Sequence, residues 1–122
     1  MDRLERIARN ELEALKREWN YPQVNLKVDR TKRWKWLVGR AAPSDLSITL
    51  GGACHDYDEL AIREVVRHEF AHLLEWRSHR KASHSPIWRF YAKVLGCRPR
   101  ANSSEIERVE AMQAATYDRK GQ

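Results

Sequence analysis

The sequence Arg67-His68-Glu69-Phe70-Ala71-His72-Leu73-Leu74 lies near the middle of the chain and contains the pattern H-E-x-x-H. Apolar side chains recur around it at helical spacing, which predicts a helix over about residues 57–78. Residues four apart on a helix project from the same side, one turn above each other. His68 and His72 are therefore expected to project together, half-buried on the flank of the apolar side of this helix.

Two imidazoles on one side of a helix can bind the same metal ion, as tetrahedral zinc requires. Glu69 would lie beside such an ion without binding it, and its carboxylate could take a proton from a water activated by the metal. The pattern therefore indicates a zinc hydrolase, and a protease above all. The alternative is an ordinary surface helix with two histidines and a solvated glutamate.

A catalytic zinc site takes a third protein ligand and leaves one position for water. We favour His84, because a loop over residues 79–83 can span about 16–18 Å and return the chain to the metal. Ser85 and Pro86 have the pattern of an N-cap followed by proline in the first turn, which predicts a helix directly after His84. The other candidates for the third ligand are His79, Glu75, His55 with Cys54, Glu105, Glu107 and Glu110.

The rest of the chain predicts an α+β fold. A helix is expected over residues 2–19, and Asp56 with Glu59 is expected to cap the start of the motif helix. Two further helices are expected from Ser85 to Gly96 and from Ser104 onward. Strand patterns joined by short connections predict a three-stranded antiparallel meander made of residues 24–28, 34–39 and 46–50. The last of these strands could pair with an extended substrate if it lies at the sheet edge.

Composition limits the class of protein. The 122 residues are 42% apolar, which fits one domain with a modest core. No run is long and apolar enough to cross a membrane, and the first residues have no apolar signal core, so we expect a cytoplasmic protein. Cys54 and Cys97 are expected to be buried or half-buried thiols rather than a disulfide.

The charge balance suggests a polyanionic partner. The chain has 23 Lys and Arg against 17 Asp and Glu, a net charge of +6. Basic side chains neutralise phosphates and tryptophan rings stack on unpaired bases, so one segment is a candidate DNA-binding surface. It contains Lys27, Arg30, Lys32, Arg33, Lys35 and Arg40 together with Trp34 and Trp36. The alternative is that both tryptophans face the core from one side of a strand.

Three segments together resemble the SprT-like zinc metalloprotease family. They are residues 68–76, the sequence His84-Ser85-Pro86-Ile87-Trp88, and Val94-Leu95-Gly96, and residues 36–50 resemble the hairpin that precedes the motif in that family. The resemblance implies a minimal zincin-like domain in which His68, His72 and His84 are zinc ligands and Glu69 is the general base. It also implies a role in cleaving DNA-crosslinked proteins, because eukaryotic relatives have that activity.

Two departures from the family pattern stand out. Ser85 occupies a position where glycine is usual, and only Cys97 follows the motif, so we expect no C-terminal zinc ribbon. We therefore expect residues 1–122 to form a single SprT-like domain. The leading hypothesis is a zinc-dependent protease of DNA-associated proteins. The alternatives are a nucleic-acid-binding module with a non-catalytic metal site, and a hydrolase of another substrate class that uses the same zinc site.

Overall fold

A computed structural model describes residues 1–30 and 38–97 of the chain. The α+β class predicted from the sequence is confirmed. In chain order the described elements are α1 (Arg3–Glu18), β1 (Asn25–Val28), β2 (Gly39–Ala42), β3 (Ser47–Leu50), a 3-10 helix (Gly52–Asp56), α2 (Glu59–His79) and α3 (Pro86–Val94).

The three strands form a mixed sheet, so the predicted antiparallel meander is wrong. β3 lies in the middle, parallel to β1 and antiparallel to β2. Its Ile48 and Leu50 are completely buried, as the central strand of a small sheet requires. Alternation of apolar residues shows which side chains face the core, but it does not reveal which strands are neighbours. The predicted second strand began at residue 34, whereas β2 begins at Gly39 and residues 34–37 lie outside the described part.

Capping residues set where α1 and α2 begin. Asp2 caps α1 by accepting a hydrogen bond from the backbone N–H of Glu5 at 2.9 Å, and the predicted apolar face is buried. At α2 the predicted capping residue Asp56 is wrong, because Asp58 accepts the N–H of Ala61 at 2.8 Å. Asp56 is instead the last residue of the preceding 3-10 helix, which delays the start of α2.

α2 is the central element of the fold. Every residue from His68 to Glu75 is buried, so this half of the helix is covered on all sides by α1, the sheet and α3. Phe70 is completely buried and its ring meets the Tyr21 ring edge-on, with 5.9 Å between the ring centroids. The motif therefore belongs to the core of the protein, where its backbone position is fixed by packing.

α3 follows the prediction closely. Ser85 caps it, Pro86 is its first residue, and the chain leaves the helix through Gly96 at a φ of +84°. The helix expected from Ser104 onward lies outside the described residues. None of the helices in residues 1–30 and 38–97 combines the length and hydropathy that a membrane span needs.

Candidate metal centre

Three histidines converge where α2, the following loop and α3 meet. His68 and His72 come from α2, and His84 lies at the end of the loop, directly before α3 begins. One ring nitrogen from each histidine lies within 4.8 Å of the other two. The ring centroids are 5.6 Å apart for His68 and His72, 5.7 Å for His68 and His84, and 5.0 Å for His72 and His84.

The donor set fits a transition-metal ion. Three imidazole nitrogens are ligands that zinc and similar borderline metals favour. Ligand atoms about 2.1 Å from one tetrahedral zinc ion lie about 3.4 Å apart. The three nitrogens therefore need side-chain movements of only about an ångström to share one ion.

The backbone brings His84 back to α2 through two local features. Arg80 ends α2 in the left-handed conformation, at a φ of 56°, and its N–H bonds to the Trp76 carbonyl at 2.8 Å. Ser85 then starts α3 by accepting the N–H groups of Ile87 and Trp88. A sharp exit from one helix and a capped entry to the next hold His84 between them.

Trp88 packs against all three histidine rings. Its centroid lies 4.6 Å from those of His68 and His84, and it stacks on His72 at 5.2 Å with 21° between the planes. Its indole N–H donates to the His68 carbonyl at 3.3 Å. Trp88 thus forms one wall of the cluster. From the sequence, no contact with the histidines was assigned to Trp88. Its position one helical turn after His84 is the signal that could have indicated this contact.

The Glu69 side chain, which belongs to α2, lies against strand β2 of the sheet. Only 1% of it is exposed, and β2 runs close beside it at Gly39. A Cβ added to Gly39 would lie 3.2 Å from both Cγ and Oε2 of Glu69 and 2.8 Å from Cγ1 of Val65. Glycine at position 39 is therefore what allows the strand to approach the carboxylate.

β3 is the central strand of the three that the structure describes. Pairing of residues 46–50 with a substrate requires a place at the sheet edge, and because β3 has partners on both sides this condition is not met. Sequence alternation could not reveal this, because it contains no information on strand order.

Glu75, one of the candidate ligands from the sequence, turns its carboxylate toward the loop that carries His84. It is completely buried and accepts hydrogen bonds from Ser83 N at 2.8 Å, Ser83 Oγ at 3.1 Å and Ser85 Oγ at 2.5 Å. Its Oε1 lies 3.9 Å from Nδ1 of His72. Burial alone raises the pKa of Glu75, but the contact with His72 and the hydrogen bonds from Ser83 and Ser85 outweigh it. The pKa of Glu75 therefore lies below its ordinary value.

The remaining candidate ligands stay apart from the cluster where they are described. His79 is exposed at the end of α2 beside the Ser78 hydroxyl, and His55 is exposed in the 3-10 helix. Cys54 is buried and its thiol donates to the Val38 carbonyl at 3.0 Å. Glu105, Glu107 and Glu110 lie outside the described residues.

The two cysteines are buried and form no disulfide. Burial raises the pKa of the Cys97 thiol to about 12, so it stays protonated at neutral pH.

Part of the candidate DNA surface is engaged within the chain. Lys27 pairs with Asp45 at 2.7 Å, and Arg30 pairs with both Asp2 and Glu5. The side chain of Arg40, on β2, is exposed. The other members of this surface, Lys32, Arg33, Lys35, Trp34 and Trp36, lie outside the described residues.

The fold and the histidine cluster together define a zincin-like protein with a candidate metal centre. The crystal structure of the metallopeptidase zymogen of Pyrococcus abyssi abylysin has a similar fold, with a TM-score of 0.55 and 18% sequence identity. The similarity covers 91% of this chain and 95% of that one.

The sequence profile of the SprT-like family matches residues 5–110, so the chain belongs to the SprT-like family. Comparison with curated proteins finds no match. Family membership confirms the resemblance read from the motif, and together with the fold it supports a metalloprotease-type function.

Proposed function

We propose that the protein is a zinc-dependent peptidase in which His68, His72 and His84 hold the metal and Glu69 is the general base. The observation that supports this most directly is the approach of three imidazole nitrogens to within 4.8 Å of one another, next to a glutamate on the same helix. A zinc ion held there would polarise a peptide carbonyl and acidify a water molecule.

Glu69 carries the proton in this mechanism. Its carboxylate accepts a proton from the attacking water and passes it to the amine that leaves, as a general base and then a general acid. The side chain is buried and lies against β2 at Gly39, so packing limits its movement. Such fixed placement removes much of the entropic cost of reaction.

The experiment compares Glu69→Gln with the wild type and with His79→Gln, a change to an exposed histidine of the same helix outside the cluster. We expect about one zinc per chain in all three proteins. Peptide hydrolysis should fall by about 10²–10⁴-fold in Glu69→Gln only, because the amide cannot accept the proton. Wild-type protein that stays metal-free in ample zinc, or a Glu69→Gln protein with full activity, would contradict the proposal.

We further propose that the substrates are proteins associated with DNA. This extension is supported by the net charge of +6, by the exposed Arg40 on the strand beside Glu69, and by the family resemblance. Because Lys27 and Arg30 are already paired with carboxylates, most of the phosphate contacts would have to come from other basic residues.

Cleavage of a DNA-binding protein and of a neutral protein, each with and without single-stranded DNA, tests this extension. We expect DNA to accelerate only the first reaction, with an effect that declines as salt rises. Equal rates in all four reactions would rule out a DNA-linked substrate. DNA binding without any proteolysis, unchanged in Glu69→Gln, would favour a nucleic-acid-binding module instead.

A further inference from the structure

We propose that Glu75 is the positioning residue of the metal centre, joining the loop-borne ligand His84 to the helix-borne ligand His72. The inference rests on the proposed metal site and adds a residue to which the H-E-x-x-H pattern assigns no role. Glu75 lies three residues after His72, so its carboxylate is on the same side of α2 and reaches both parts of the cluster.

The first contact set fixes the backbone around His84. Glu75 binds the residues immediately before and after this histidine, through the N–H and hydroxyl of Ser83 and the hydroxyl of Ser85. Hydrogen bonds to an ionised acceptor are about twice as strong as neutral ones, and the acceptor of these three, the Glu75 carboxylate, is completely buried. His84 is thereby held at both flanks by a single carboxylate.

The second contact set reaches the wall of the cluster. The Ser85 hydroxyl donates to Glu75 and also accepts the N–H groups of Ile87 and Trp88, at 3.2 Å and 3.4 Å. The same side chain thus links Glu75 to the first turn of α3. Since the Trp88 ring packs on all three histidines, Glu75 helps to place that ring as well.

The third contact concerns His72. Its Nδ1 faces Oε1 of Glu75 at 3.9 Å, a distance too long for a hydrogen bond but short enough for a strong electrostatic preference. A carboxylate facing Nδ1 orients the imidazole ring, and Nε2 is then the ring nitrogen that could bind a metal. Carboxylates that orient metal-binding histidines in this way commonly affect metal affinity.

A buried carboxylate at position 75 would be unfavourable for stability if its role were purely structural. Burying a carboxylate costs on the order of several kcal/mol of desolvation, and an apolar residue would fill the same space at lower cost. The contacts of Glu75 all converge on the segment that carries His84 and on His72. A role in positioning His72 and His84 therefore explains why these contacts are present.

The test measures zinc affinity by chelator competition and the melting temperature of the metal-free protein in parallel. We expect Glu75→Gln to bind zinc about 10–100-fold more weakly than the wild type. The control is Tyr21→Phe, which removes a different buried hydrogen bond to α2, from the Tyr21 hydroxyl to the Leu73 carbonyl at 3.3 Å. Its zinc affinity should equal that of the wild type even where its melting temperature falls.

A second variant keeps the test decisive if Glu75→Gln fails to fold. Ser83→Ala deletes one hydroxyl contact to Glu75 in a half-buried loop and should weaken zinc binding several-fold, with a smaller fall in the metal-free melting temperature than in Glu75→Gln. Zinc affinity unchanged in every folded Glu75 and Ser83 variant, with the wild type binding zinc normally, would overturn this inference alone. A wild-type protein that binds no zinc would overturn the metal centre itself, and this inference with it.

Discussion

The helix-borne and loop-borne histidines reach the same point by different physical means. His68 and His72 are each 5% exposed and belong to a stretch of α2 that the core surrounds. His84 is half-buried and is placed by hydrogen bonds around it and by the Trp88 ring. Core packing around α2 therefore holds two ligands, whereas hydrogen bonds of the flanking residues together with the Trp88 ring hold the third. The two kinds of ligand should respond differently when each support is removed.

The largest effects are expected from replacing a histidine ligand, and they should differ between zinc binding and the stability of the metal-free protein. His72→Ala and His84→Ala should each abolish peptide hydrolysis and stoichiometric zinc binding, because two imidazoles are too few for a catalytic site. In the metal-free state His72→Ala should melt at a lower temperature, since it leaves a cavity in buried surroundings. His84→Ala should melt close to the wild type. Zinc content and thermal unfolding in chelator check both statements, and a zinc-replete His84→Ala protein would contradict the assignment of the third ligand.

A core substitution tests whether packing around α2 holds His68 and His72 in place. Phe70→Ala removes a completely buried ring next to Glu69 and should destabilise the protein by about 3–5 kcal/mol. Phe90→Ala is the matched control, because the Phe90 side chain on α3 is 61% exposed and its loss should change stability by no more than about 0.5 kcal/mol. Denaturant unfolding of both variants measures the contrast. Equal losses would show that the core does not hold α2 as described.

A smaller effect is expected at the strand beside the base. Gly39→Ala places a methyl group against Val65 and Glu69, so hydrolysis should fall by about 10- to 100-fold through misplacement of the carboxylate. Zinc content should stay the same, because the three histidines are not touched. Adding Val65→Ala should restore part of the rate by making room for the methyl group. A Gly39→Ala protein with unchanged rate would mean that the strand adjusts without moving Glu69.

The smallest effect is expected where contacts are exposed to solvent. The hydrogen bond from the Glu5 N–H and then the Arg30 side chain lower the pKa of Asp2, while Arg9 first and Arg30 after it lower that of Glu5. A carboxyl group with a lowered pKa stabilises the fold above its ordinary pKa, here 3.8 and 4.5, and loses that contribution as pH falls further. Arg30→Gln should therefore lower the melting temperature slightly at pH 7. Its difference from the wild type should shrink as pH falls below 3.8 and the two carboxyl groups become protonated.

The sequence predicts those features of the fold and the site that depend on residues close together along the chain. The motif helix, the capped start of α3 and the return of His84 follow from periodicity and from the Ser85-Pro86 signal. The order of the strands, the approach of Gly39 to Glu69 and the contacts of Glu75 depend on residues distant in sequence or on which way a side chain turns. His68 and His72 were expected to be half-buried, and both are buried, because His84 and the Trp88 ring of α3 pack against them from elsewhere in the chain.

The contact of Trp88 with all three imidazoles has an optical consequence. Indole emission is sensitive to a quenching ion a few ångströms away, and this ring lies against every histidine of the cluster. Loading with a paramagnetic ion such as Co²⁺ should dim the fluorescence of the wild type more than that of Trp88→Phe. The protein thus contains a built-in spectroscopic indicator of whether its centre is occupied.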